Sequence, residues 1–275
     1  TDVLGRSIAS SSVFTVGSND RLTNIDLTTF NLELEPVTNL RIGVGGSYRT
    51  LSSALPDAFS LDYIDPSAPT GISSEINQFD LSTILIYTPG KKTIGNGVER
   101  RDFDYKKVQF SYTQPWQVGG LGRLLSTVET GKTFGEVPLG LLNAIPGNQT
   151  FFSVYNTFSN LDFYEFVTDT YVSAHLEHNF NGRFFSRIPF MRKWNLREII
   201  GLRGVWGELS DENRALSAPA NIPLIAPNDK IYWEYSVGVG NILKILRIDF
   251  NFRGNYLENP GARSFGVTGS FGFHF

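Results

Sequence analysis

Ser264-Phe265-Gly266-Val267-Thr268-Gly269-Ser270-Phe271-Gly272-Phe273-His274-Phe275 ends the chain and alternates with a period of two to its last residue. Phe265, Val267, Phe271, Phe273 and Phe275 share one face, and Ser264, Gly266, Thr268, Ser270, Gly272 and His274 share the other. Chain ends fray, so a terminal strand with this many phenylalanines on one face would expose them to water unless that face meets something apolar. Apolar residues outward, small or polar residues inward and a terminal aromatic are the pattern of a strand that closes a membrane barrel.

The preceding segments repeat the pattern. Leu246, Ile248, Phe250 and Phe252 alternate with Arg247, Asp249, Asn251 and Arg253, one face wholly apolar and the other wholly polar. Ile231, Trp233, Tyr235, Val237 and Val239 alternate with Tyr232, Glu234, Ser236, Gly238 and Gly240, and the short connection Asn241–Leu243 makes a hairpin of the two. Val108, Phe110 and Tyr112 oppose Lys107, Gln109 and Ser111; Leu40, Ile42, Val44 and Tyr48 oppose Arg41, Gly43, Ser47 and Arg49. No long stretch recurs with helical spacing.

Composition narrows the class. With 41% hydrophobic and 19% charged residues the chain is too apolar for disorder, yet no apolar run is long enough for a membrane helix. The 22 Phe, 11 Tyr, 4 Trp and 27 Gly suit aromatic girdles and close strand packing. A net charge of −3 argues against nucleic acid as a partner. The chain has no cysteine, so disulfides contribute nothing. The start Thr1-Asp2-Val3-Leu4-Gly5-Arg6 lacks the basic segment and apolar core of an export signal, so the sequence is expected to be a mature or partial product.

Candidate strands are Ile8–Val16, Ile25–Glu35, Leu40–Leu51, Asn77–Thr88, Asp104–Gln114, Arg123–Thr133, Phe166–Asn181, Leu196–Leu209, Ile231–Gly240, Lys244–Asn255 and Arg263–Phe275. Bacterial barrels carry an even number of strands, short turns at one rim and long loops at the other. Counting back from Phe275 and forward from the tight turn at Val37–Asn39 leaves the two counts one strand apart between Tyr87 and Asp104. The segment from Thr88 to Arg101 shows no alternation, so a barrel of about 12 strands with one missing near 91–103 is expected.

Mid-chain motifs carry a family resemblance. Phe163-Tyr164-Glu165-Phe166-Val167-Thr168-Asp169-Thr170-Tyr171-Val172-Ser173, His175-Leu176-Glu177-His178-Asn179-Phe180-Asn181-Gly182, Ile188-Pro189-Phe190-Met191-Arg192-Lys193-Trp194 with Arg197-Glu198, Gly131-Lys132-Thr133-Phe134-Gly135-Glu136-Val137-Pro138-Leu139 and Tyr87-Thr88-Pro89-Gly90-Lys91-Lys92 resemble a Bacteroidota family. Its members are large outer-membrane proteins with an N-terminal carboxypeptidase-like regulatory domain. The resemblance runs from Asn77 to Phe275. It implies that residues 1–275, a barrel, are part of a longer polypeptide. Tyr235-Ser236-Val237-Gly238-Val239-Gly240 and the strands that follow are similar to the last strands of surface-antigen barrels that insert or export proteins.

Chemical motifs are few. On a strand His175 and Glu177 share a face while His178 points to the other, so the two histidines do not chelate one ion. Ser173, His175 and Glu177 line one face but lie ~6.6 Å apart along the strand, too far for a direct relay. No catalytic, cofactor or metal residue is assigned. Arg41, Arg49, Asp80, Lys107, Glu177, Arg203, Glu234, Arg247, Asp249 and Arg253 are expected to face the lumen, because lipid penalises charge on the outer wall. Their mixed signs predict a salt-bridged, plugged or narrow interior that tolerates charge, at position 251 for example. Phe265, Phe271, Phe273 and Phe275 are expected to face lipid on the closing strand. The connection Gly135–Glu165, rich in apolar residues, is expected to fold against the lumen or a partner. Phe184, Phe185, Arg192 and Trp194 in the turn Gly182–Asn195 are expected to anchor at the membrane interface.

These readings converge on an all-β, antiparallel transmembrane β-barrel of the bacterial outer membrane, without enzymatic activity. Its expected partners are the lipid bilayer and other envelope proteins, and its expected role is that of a scaffold or accessory subunit in protein assembly or export. A solute uptake channel is the alternative, followed by an outer-membrane hydrolase.

Overall fold

A computed structural model describes residues 22–37, 40–87, 92–97 and 103–272. Its strands are β1 (Thr23–Val37), β2 (Leu40–Ser53), β3 (Glu75–Tyr87), β4 (Lys92–Gly97), β5 (Lys106–Gln117), β6 (Arg123–Phe134), β7 (Thr170–Asn179), β8 (Arg197–Glu208), β9 (Tyr232–Ile242), β10 (Leu246–Arg253) and β11 (Phe265–Phe271). They form one 11-stranded antiparallel sheet in which every strand pairs with its neighbour in sequence. Two two-stranded pairs, Tyr63–Ile64 with Ile72–Ser73 and Asn143–Ala144 with Val167–Thr168, lie in the long connections. One short helix, α1 (Asp211–Leu216), follows β8. Among the described residues no helix is long and apolar enough to cross a membrane.

Burial is inverted relative to a protein in water. On β10 the charged and polar positions Arg247, Asp249, Asn251 and Arg253 are buried, while Phe250 is exposed. On β9 Tyr232, Glu234 and Ser236 are buried, and Trp233, Tyr235 and Val237 are exposed. Aromatic rings ladder across the exposed face: Tyr235 stacks on Phe252 at 4.9 Å, and Phe252 meets Phe265 at 5.2 Å. Only a hydrocarbon solvent makes such a face stable over many strands.

The register corrects one expectation. The strand held to be missing near 91–103 is present as β4, which pairs Tyr87↔Lys92 through Ser82↔Gly97 on one side and Lys92↔Tyr112 through Gly97↔Lys107 on the other. The parity argument required a strand there. The sequence hid it, because Lys92-Thr93-Ile94-Gly95-Asn96-Gly97 offers one apolar residue and two glycines, too little for a period-two signal. The candidate strand Ile8–Val16 lies outside the described residues. With β4 in place the short connections 118–122 and 243–245 and the turn 180–196 fall at one rim. The long connections 54–74, 135–169, 209–231 and 254–264 fall at the other.

The long connections build a hydrophobic cap. Phe59, Leu61 and Tyr63 from one, Val137, Leu139, Leu141 and Leu142 from the next, and Leu209 and Ala226 from a third bury one another against Leu51, Ile76 and Tyr105 at the strand ends. Asp169, at the seam between cap and sheet, accepts bonds from Ser210 N at 2.7 Å and Asn213 Nδ2 at 3.1 Å. Burial pushes the Asp169 carboxyl up, but these bonds and that from Thr170 outweigh it and hold the group below the usual carboxylate range.

Candidate functional site

The connection 135–169 does not stay outside. Its segment 145–161 enters the space bounded by the polar face of the sheet and touches each strand from β5 to β11. Tyr155 Oη lies 3.0 Å from Thr113 Oγ1 on β5 and 2.9 Å from Thr127 Oγ1 on β6. Asn156 donates to Glu129 of β6, which also accepts from Tyr171 Oη of β7 at 3.2 Å. Phe158 packs on His175 of β7 at 4.9 Å and on Tyr232 of β9 at 5.4 Å. Arg203 of β8 donates to Ser159 Oγ at 2.7 Å. The backbone N–H groups of Ser159 and Asn160 reach the Glu234 carboxylate of β9 at 2.8 and 2.9 Å. A sheet in which every strand from β5 to β11 reaches one segment has curled around it there. The polar face is therefore a lumen and 145–161 is its plug.

The firmest attachment is ionic. Arg253 of β10 forms two bonds to Glu165, at 2.6 and 3.2 Å, with the two side chains 0% and 2% exposed. Its guanidinium also donates to the Asn160 and Asn255 carbonyls and lies 4.9 Å over the Tyr232 ring. So placed, the fork satisfies most of its donors without water. Arg263, just before β11, reaches Asp162 at 3.6 Å and the Asn148 and Leu161 carbonyls at 3.2 Å.

The inner-face residues fall into separate clusters. Arg49 pairs with Asp80 at 2.7 Å, and Tyr105 bridges them. Arg247 pairs with Asp249 and Glu177, each at 2.7 Å. Arg203 stands 3.8 Å from Glu234. Lys107 donates to the Leu141 carbonyl at 3.0 Å. Arg41 is exposed near the start of β2, away from these clusters. Position 251, expected to tolerate charge, is tightly held: Asn251 is 0% exposed and bonds Arg203, Thr268 and the Asp249 carbonyl, so a charged replacement there would have to break these bonds. Phe265 and Phe271 are exposed on β11; Phe273 and Phe275 lie outside the described residues. In the turn 180–196, Phe184 and Trp194 are exposed, Arg192 likewise, and Phe185 is half-buried.

Sequence reasoning missed the plug's own partners, above all Glu165 and Ser159, because a loop has no periodicity to mark which residues point inward. The wall also uses polar groups the alternation did not single out, Glu129 and Tyr105. The His175 ring packs on Phe158, and the Glu177 carboxylate meets Arg247. His178 Nε2 lies 2.8 Å from the Leu121 carbonyl. Among the described residues no group of His, Cys, Asp or Glu is arranged to hold a metal ion. Beneath the plug a cavity of about 240 Å³, bordered by Tyr155, His175, Glu177, Arg203 and Arg247, is smaller than ordinary small-ligand pockets.

The plug's fit can be tested at Gly147, where an added Cβ would lie 2.1 Å from the Leu161 carbonyl oxygen, a backbone atom that cannot rotate away. Gly147→Ala is expected to cost about 1–3 kcal/mol, the usual range for overpacking. The urea midpoint of the purified barrel measures it, and an unchanged midpoint would show that the plug is not seated as described.

An antiparallel sheet of this inverted polarity, curled around a plug, defines the class: the chain has the fold of the outer-membrane β-barrels. Residues 86–212 match the C-terminal domain of a family of unknown function, DUF5686. No curated protein matches. Among solved structures, the chain is similar to BamA from Haemophilus ducreyi lacking POTRA domains 1–3, with a TM-score of 0.57 and 13% identity, over 90% of this chain and 54% of that one. The chain thus spans about half the length of that structure. It also matches OccK9 (OpdG) of Pseudomonas aeruginosa at a TM-score of 0.41 and 12% identity, over 94% of this chain and 70% of that one.

Proposed function

We propose that this barrel is a plugged, non-conducting scaffold or accessory subunit of an envelope complex that handles outer-membrane protein assembly or export. The observation that carries the reading is the filled lumen: segment 145–161 is fixed to every strand from β5 to β11, and the Arg253–Glu165 pair that holds it is wholly buried. A lumen sealed in this way, beneath a hydrophobic cap, offers a solute no path. Work is left to the outer wall and the rims, which are the surfaces a partner protein would use. A solute uptake channel is the second reading. The His175 and Glu177 contacts suit a wall more than a catalytic relay, so hydrolysis ranks below both.

Planar-bilayer recording separates the two. The intact protein is expected to show no steady conductance, whereas deletion of 147–160 is expected to open persistent channels. Large, steady, ion-selective currents from the intact protein would overturn the scaffold reading. Pull-down from native membranes then asks for the partners, and recovery of the barrel alone would count against a complex.

A further inference from the structure

Basic charge is concentrated on three neighbouring turns at one end of the barrel. At the short-turn rim, residues 115–123, 180–197 and 241–246 contain no Asp or Glu but carry Arg123, Arg183, Arg187, Arg192, Lys193 and Lys244. At the long-loop end, 54–74 and 135–169 contain no Lys or Arg but several acids, Asp57, Asp62 and Asp65 among them, while 209–231 and 254–264 mix acids with Arg214, Lys230 and Arg263. In a chain of net charge −3, three adjacent turns of one sign are not an average surface; the acids of this rim, Glu33 and Glu35, stand apart from them before the β1–β2 turn.

Hydrogen bonds join the three basic turns into one surface. Arg183 Nη1 donates to the Gly120 carbonyl at 2.5 Å, His178 meets the Leu121 carbonyl, and Asn241 Nδ2 donates to the Asn195 carbonyl at 2.8 Å. Glu198, the first acid beyond the stretch, accepts the Phe185 N–H. Between the basic residues stand exposed apolar side chains: Trp116 at 52%, Phe190 at 64%, Trp194 at 60% and Leu243 at 85%. A free phosphate would have no use for these, and only an amphiphile presents an anion and a hydrocarbon boundary at one depth.

We infer that this rim binds the headgroups of anionic phospholipids, of the phosphatidylglycerol class, in the leaflet it adjoins. Each basic side chain close to an anionic lipid surface contributes about a fivefold gain in affinity. Cation and aromatic ring act together, the first on the phosphate and the second at the glycerol level. The inference needs the barrel in its membrane but not the scaffold role: a conducting barrel with this rim would bind the same lipids.

Native mass spectrometry of the full chain tests it, with phosphatidylglycerol and phosphatidylcholine of identical acyl chains offered in competition. The intact protein is expected to retain phosphatidylglycerol preferentially. The variant Arg187→Gln, Arg192→Gln, Lys193→Gln is expected to lower that preference about a hundredfold, and Asp57→Asn at the opposite end to leave it unchanged. Heat-shifted gel mobility reports whether each variant is folded. If the triple variant fails to fold, Arg123→Gln with Lys244→Gln replaces it, with an expected drop of about twentyfold. Equal retention of the two lipids by the intact protein would overturn the inference, and so would a preference that survives neutralisation, which would place the lipid elsewhere on the barrel.

Discussion

Arg253→Ala is expected to destabilise the folded barrel by roughly 3–5 kcal/mol, the range for breaking a buried ion pair from one side. The change would strand the Glu165 carboxylate, 2% exposed, without its guanidinium. It would also empty the space above the Tyr232 ring. Urea titration in lipid vesicles measures the loss. The double variant Arg253→Met, Glu165→Leu removes both charges and is expected to recover most of it, because apolar side chains of similar size need no counter-ion. If the single variant costs no more than an exposed pair does, about 1 kcal/mol or less, the plug is not held by this contact. Arg253→Ala should also produce flickering conductance where the intact protein is silent, as the plug begins to leave its seat.

The second large effect is expected on the outer wall. Phe250 sits mid-strand on β10, opposite Val237 on one side and Val267 on the other. Phe250→Arg would place a charge in hydrocarbon at a cost of ~2–4 kcal/mol. The folded fraction in vesicles, read from heat-shifted mobility, should fall well below that of Phe250→Ala, which loses the same ring stacking with Phe265 but adds no charge. Equal loss from the two would mean that position 250 does not face lipid.

These two sites also show what the sequence could disclose. Phe250 was legible, since alternation along Leu246–Arg253 assigns faces without help from the rest of the chain. Arg253 was legible as an inward residue, but its partner was not: Glu165 lies 88 residues away in a loop, and no local signal joins them. β4 was hidden for the opposite reason. Its six residues are held by neighbours on both sides, so pairing supplies what intrinsic propensity lacks. Asn251 shows the remaining limit, because a pattern assigns a face but says nothing of how tightly that face is packed.

The plug also sets an order of events. It leaves the sheet after β6, and although Thr113, Thr127 and Glu129 precede it, its contacts with Glu234, Arg253 and Gly269 are with residues synthesised later. Phe152 even pairs in parallel with Gly269 of β11, Ser153 N donating to the Gly269 carbonyl and Gly269 N to the Phe151 carbonyl, each at 2.7 Å. Contacts of such sequence separation form slowly, because each must close a loop of many residues before any reward is gained. The hairpins can zip up locally, but the interior waits for the carboxyl-terminal strand. Until then the segment 145–161, with Phe151, Phe152 and Phe158, is an exposed apolar stretch on a half-made barrel. That interval is when a folding chain would depend most on a chaperone, and loss of the last strand would prolong it indefinitely.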